Sequence, residues 1–227
     1  MEKFRCRIPR LSASICGVEI QLRTIRALIG FQDARAVDMF LRGRPVTAVY
    51  RPVEAQRRLR EGGGRTLGSR LGVYQLLQAL PLGEWVSVEG LTEREQRILP
   101  ALPTWTRARE NGRVSRLVDP PVRLEALLSR GDTWAEALDR ACVLGRVVPR
   151  MAVCPPLNED RDRACWEADF YGVGLAECDG ENVKVLVNAP TDVPEIVAAL
   201  HWRLAEHVHR VVAEREASSS PTTPVTQ

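Results

Sequence analysis

The chain has 227 residues, 44% hydrophobic and 27% charged, with a formal net charge of +3, a composition able to bury a sizeable core. No apolar run approaches the roughly 18 residues of a membrane span, and MEKFRCRIPR lacks the apolar stretch of a secretory leader, so a cytoplasmic protein without a membrane partner is expected. Of the 32 basic residues only Lys3 and Lys184 are lysine, leaving 30 arginines. A GC-rich genome gives the same bias, but guanidinium suits bidentate phosphate contact, so the places where arginines gather matter more than their number.

Residues 1–65 read as an arginine-rich, helix-turn-helix-like segment. In GVEIQLRTIRALIG, Val18, Leu22, Ile25 and Ile29 follow helical spacing, while Val18, Ile20 and Leu22 alternate as in a strand, and both assignments stay open. Past Gly30, Asp33 is placed to cap a second helix carrying Val37, Phe40 and Leu41, and Arg44-Pro45 leads into the strand-like VTAVY. RPVEAQRRLREGGGR then ends in three glycines that require a sharply turned or mobile loop.

Residues 66–131 read as a helical or winged-helix-like segment. SRLGVYQLLQAL is helical, EWVSV is strand-like, and Thr92 with Glu95 forms a capping box before REQRIL. The basic TRARENGRVSRLVD centres on Asn111-Gly112, and this order fits a winged-helix variant or a plain helical bundle. Asp119-Pro-Pro introduces VRLEALLSRG, stopped by Gly131, within the same segment.

Residues 132–216 read as an α-β-β-β-α domain, and 217–227 as a disordered tail low in hydrophobic residues. Thr133 and Glu136 cap a helix whose Trp134, Leu138, Ala141 and Cys142 share a face, with Gly145 at its end. RVVPRMAV follows as a strand, which Pro149 marks as an edge or a bulge. CWEADFYGVGLAECDGENVKVLVNAP is a hairpin turning at Asp179-Gly180, with Leu175 opposite Lys184. Alternation gives it a dry face of Trp166, Ala168, Phe170, Ala176, Val183, Val185, Val187 and Ala189. Its other face carries Glu167, Asp169, Tyr171, Lys184 and Asn188, together with Val173, Leu175 and Leu186. Near Pro194 a long helix begins, with Val197, Leu200, Leu204, Val208 and Val211 on its core stripe. The expected fold class is therefore α+β: a helical N-terminal part of helix-turn-helix or winged-helix character, and a C-terminal β-hairpin layer packed by helices.

That order of elements over 132–215, with Ala168-Asp169 on the middle strand, resembles the PD-(D/E)xK nuclease-like core. The resemblance implies a metal-dependent nuclease with Asp169 as the metal aspartate and Glu167, Glu177 and Lys184 as its companions. The family's Glu and Lys stand two apart on one strand, whereas Glu181 and Lys184 here are three apart and face opposite ways. A catalytically silent form of that core is the corresponding expectation, and Lys184 reads equally as a surface ion-pair partner of Glu177.

Other chemistry is sparse in the sequence. Six cysteines without any C-x-x-C pair read as reduced buried thiols, with a site gathering Cys154, Cys165 and Cys178 as the alternative. His201, His207 and His209 have no i, i+4 relation for gripping one metal ion; His201 reads as packed, and His207 and His209 as solvated. EGGGRTLGSR lacks the G-K-[ST] ending of a phosphate loop. No metal and no cofactor are expected. The arginines form two loop-associated clusters, Arg51, Arg57, Arg58, Arg60 and Arg65 around the glycines, and Arg107, Arg109, Arg113 and Arg116 around Asn111-Gly112. They lead to the functional expectation of a non-enzymatic protein that binds duplex DNA, with a protein-binding adaptor or assembly subunit as the alternative and the nuclease as the third reading.

Overall fold

A computed structural model of the chain describes residues 30, 32–61, 65–179, 182–192 and 194–219. The assignment of residues 18–29, the glycine loop at 62–64, Cys6, Cys16 and residues 220–227 of the expected tail lie outside the described residues. The fold is mixed α/β, built on a six-stranded mixed sheet and a three-stranded sheet, and this overturns the α+β reading with a helical N-terminal part.

The first correction falls on residues 35–52, which form a β-hairpin of β1 (Arg35–Leu41) and β2 (Arg44–Pro52). Val37, Phe40 and Leu41 match a helical period, but the same stretch also alternates: Val37 and Met39 are buried while Asp38 and Phe40 are exposed. The turn settles the competition. Arg42 at φ +52° and Gly43 at φ +75° form a two-residue connection with positive φ at both positions, which matches the twist of paired strands.

Between β2 and the next strand of the large sheet lies an insertion. It holds α1 (Glu54–Glu61), α2 (Leu71–Ala79), β3 (Val86–Ser87), α3 (Glu93–Ile98), β4 (Arg107–Glu110) and β5 (Arg113–Arg116), with the small sheet ordered β3-β5-β4. The Thr92–Glu95 capping box forms in both directions, as its spacing predicts. Leu76, Leu77, Leu80, Leu99, Val114 and Val118 bury one another in a core that also takes Trp202.

VRLEALLSR, placed in the helical segment by its sequence, is instead the strand β6 (Val122–Arg130), paired with β2. Ala126, Leu127, Leu128 and Ser129 are buried in succession, so both faces are covered there and the alternation is confined to Val122–Glu125. The chain continues through α4 (Trp134–Val143), β7 (Arg150–Cys154), α5 (Arg161–Phe170), β8 (Gly174–Cys178), β9 (Val183–Val187) and α6 (Ala198–Ser219). The large sheet runs β1-β2-β6-β7-β8-β9, with β6, β7 and β8 mutually parallel and the other pairs antiparallel. Parallel neighbours need crossovers, and α4 and α5 supply them. β7 is an interior strand, not an edge, because Pro149 precedes it and contributes only its carbonyl, which accepts from Leu127 N–H at 2.9 Å.

Residues 165–173 are the largest local departure from the sequence reading. They are not the first strand of a hairpin, since α5 runs to Phe170 and places the buried Ala164 and Ala168 one turn apart against β7 and β8. Gly172 at φ +60° ends the helix, with Gly172 N–H bonded to Asp169 O and Val173 N–H to Ala168 O. Trp166 and Phe170, expected on a dry face, are 68% and 71% exposed. The hairpin itself survives between β8 and β9, but its register is displaced from an Asp179-Gly180 turn, with Asp179 N–H bonded to Asn182 O at 3.2 Å. Asp179 Oδ1 accepts from Asn182 N–H at 2.7 Å there, and the register becomes Cys178↔Val183 and Glu177↔Lys184. Residues 132–216 thus follow the order α-β-α-β-β-α, and α6 extends through residues 217–219 of the expected tail.

One face of the large sheet is covered by α6 over β1, β2 and β6, where Leu204, Ala205 and Val208 meet Val37, Met39, Ala48 and Leu127. Burying such side chains contributes about 1.5–3 kcal/mol each. On the opposite face Val49, Leu128, Met151, Val153, Ala176 and Cys178 form a second buried apolar layer.

Candidate functional site

The two arginine clusters have different fates. In the first, Arg51 pairs with Glu125 at 2.7 Å, and Arg57 pairs with Glu54 at 3.5 Å and Glu216 at 3.3 Å. Arg60 is buried and donates to Glu206 Oε1 at 2.7 Å. Arg65 donates to Leu59 O at 3.2 Å, and Arg58 is exposed. Arg57 and Arg60 thus hold the insertion to α6, and Arg51 ties β2 to β6.

The second cluster sits on the β4–β5 hairpin. Asn111 at φ +46° and Gly112 at φ +73° close the turn, as the Asn-Gly pair predicts. Arg116 is committed: it ion-pairs with Asp119 at 3.2 Å and lies over the Trp202 ring at 5.2 Å. Arg107 and Arg109 are two apart on β4 and therefore share a face, and Arg113 stands opposite Glu110 across the strands. Burial pushes the Arg107 guanidinium below its ordinary value, and the charge of Arg109 pushes it further the same way. Among the described residues neither Arg107, Arg109 nor Arg113 has a carboxylate within ion-pair distance. The hairpin forms the β4 edge of the small sheet, and its three cations have no ion-pair partner among the described residues, although Arg107 Nε donates to Leu102 O at 3.4 Å.

A buried polar cluster that the sequence does not announce joins the insertion to α6. Arg60 donates to Glu206 and also to the carbonyls of Gln56 and Asp119, at 2.7 and 2.9 Å, and stacks over Trp105 at 5.4 Å. Trp202 Nε1 donates to Glu206 Oε1 at 3.2 Å, and Tyr74 meets the Trp202 ring edge-on at 6.5 Å. Burial, with Glu206 adding to it, raises the Tyr74 phenol above its ordinary value. Trp202, Glu206 and His209 fall at i, i+4 and i+7 on α6, the one periodic signal that could have revealed this second buried face. His209, expected to be solvated, is buried, and desolvation followed by Arg60 and Arg57 holds its imidazole below the usual range.

The four residues that the nuclease resemblance implies are not gathered as that resemblance requires. Glu167 and Asp169 stand on helix α5, and Glu167 pairs with Arg163 at 3.0 Å. Glu177 is buried on β8, where its Oε1 accepts from Arg161 at 2.8 Å and from Leu157 N–H at 2.9 Å, and Lys184 faces it directly across the β8–β9 ladder. Cys142, Cys154, Cys165 and Cys178 are free thiols, and burial, reinforced by Glu177, pushes Cys154 up to about 11. Among the described residues no group of three or more His, Cys, Asp or Glu is placed to hold a metal ion, and no helix is long and apolar enough to cross a membrane.

Two cavities complete the surface. One of about 420 Å³ lies beyond the carboxyl ends of β6 and β7, between Asp132–Trp134 and Pro155–Asp160, the position where open α/β sheets commonly take ligands. The other, of about 440 Å³, lies where the insertion, the β1–β2 turn and α6 meet. Comparison of the chain with protein-family models, with curated proteins and with solved structures gives no match.

Proposed function

We propose that this chain is a non-enzymatic nucleic-acid-binding protein that contacts duplex phosphates through the β4–β5 hairpin. The observation that carries the reading is the like-charge pair Arg107 and Arg109 on one face of β4, met by no carboxylate among the described residues, with the Arg107 guanidinium held below its ordinary value first by burial and then by Arg109. A bound phosphate relieves that repulsion, whereas Arg113, paired with Glu110, lies on the other face of the ladder. The first cluster contributes less than its arginine count suggests, since Arg51, Arg57 and Arg60 are held in ion pairs within the fold. The test is fluorescence anisotropy of a labelled duplex at low salt. Arg107→Ala/Arg109→Ala should weaken binding with the circular dichroism spectrum unchanged, and equal affinity for the double variant and the wild type would remove the hairpin from the interface.

A second reading, a protein-binding adaptor, is favoured by one specific feature. Trp166, Phe170 and Tyr171 are 68%, 71% and 51% exposed, and the first two stack at 5.7 Å. Exposed aromatics grouped this way mark interaction surfaces more often than solvated ones. An association lost in Trp166→Ser/Phe170→Ser and insensitive to salt would favour the adaptor reading over the nucleic-acid one.

A further inference from the structure

The cavity at the junction of the insertion and α6 combines two features that nothing described above uses. Its rim carries Arg42, Arg203 and Arg210, none of which has a carboxylate within ion-pair distance among the described residues. Arg210 instead donates to His207 Nδ1 at 2.8 Å, and Arg42 donates to Val143 O at 2.9 Å. Its walls are apolar, from Leu41, Leu67, Leu144, Val147 and Leu204. Its lining also includes Glu206, 5% exposed, whose Oε1 is taken by Arg60 and Trp202.

We infer that this cavity is a binding site for a small organic anion with an apolar body, a chemistry for which a nucleoside monophosphate serves as the probe. A volume of about 440 Å³ is the size of a small-molecule pocket. Three guanidinium groups on one rim provide the bidentate recognition that a phosphate or carboxylate requires. Apolar walls receive the body of the ligand. Because Glu206 is also the partner of Arg60, a ligand held there bears directly on the link between the insertion and the sheet.

Isothermal titration of the full chain with adenosine monophosphate, adenosine and inorganic phosphate separates the contributions. Adenosine monophosphate should bind, while adenosine and inorganic phosphate should each bind about tenfold more weakly or worse. Arg203→Ala, an exposed position, should reduce affinity for adenosine monophosphate by about tenfold and leave adenosine unchanged. Arg107→Ala/Arg109→Ala should leave it untouched, which keeps this site distinct from the hairpin. No heat with adenosine monophosphate at millimolar concentration would overturn the inference. So would equal affinity for inorganic phosphate, or binding unaffected by Arg203→Ala together with Arg210→Ala.

Discussion

Arg60 of α1 and Glu206 of α6, 146 positions apart, meet at 2.7 Å with side chains only 1% and 4% exposed. Breaking such a pair from one side leaves a buried charge without its partner, at a cost of about 3–5 kcal/mol. Glu206→Ala should therefore lower the urea midpoint sharply, and Arg60→Met/Glu206→Leu should recover most of the loss. A double variant as unstable as the single would show that the pair contributes by more than charge compensation.

The exposed aromatics of α5 give the opposite expectation. Trp166→Ser and Phe170→Ser should shift the melting temperature by no more than about 2 °C, as surface substitutions do. Ala168→Leu, which forces a large side chain into a fully buried position, should destabilise by about 1–3 kcal/mol. A large loss on Phe170→Ser would return that residue to the core.

Thiol reactivity should follow burial. With Cys154 raised to about 11 and fully enclosed, iodoacetamide at pH 8 should modify Cys142 and Cys165, which are partly exposed, well before Cys154 and Cys178. Peptide mapping by mass spectrometry reads the order. The raised pKa also means that the stability Cys154 contributes is present below the ordinary thiol range and is lost as pH climbs towards 11.

Acid should destabilise the protein through α6. His201, His207 and His209 are all held below 6.5, in each case first by burial, so the unfolded chain binds more protons than the folded one as pH drops. Stability is then complete above about pH 6.5 and falls as pH passes down through the depressed values. Urea midpoints at pH 7.5, 6.5 and 5.5 should decline, and His209→Gln should flatten the decline. An unchanged midpoint over that range would contradict the burial of these rings.

What the sequence discloses depends on whether a signal is local. The Thr92–Glu95 box, the Asn111-Gly112 turn and the Gly145 stop all form where their spacing places them, because each is set by a few adjacent residues. Strands are another matter: VRLEALLSR and RAVDMFL contain helical and strand periods together, decided for the first by pairing with distant β2 and for the second by the Arg42-Gly43 turn that folds it back on β2. The α5 segment misled for the reverse reason, since a small-residue face of Ala164 and Ala168 carries little hydrophobic signal while its exposed Trp166 and Phe170 carry much. For the site, the sequence located both arginine clusters. It could not say that one is consumed by carboxylates as distant as Glu206 and Glu216, nor that Arg107 and Arg109 are left without any.

The most direct test of the nucleic-acid reading is the salt dependence of duplex binding, measured as log K against log salt concentration for the wild type and for Arg107→Ala/Arg109→Ala. Phosphate contacts make the wild-type plot fall linearly, and losing two of them should make the slope shallower by about 1.8. Two parallel lines, or no binding of duplex by the wild type at low salt, would contradict the assignment of the β4–β5 hairpin as the phosphate-binding surface.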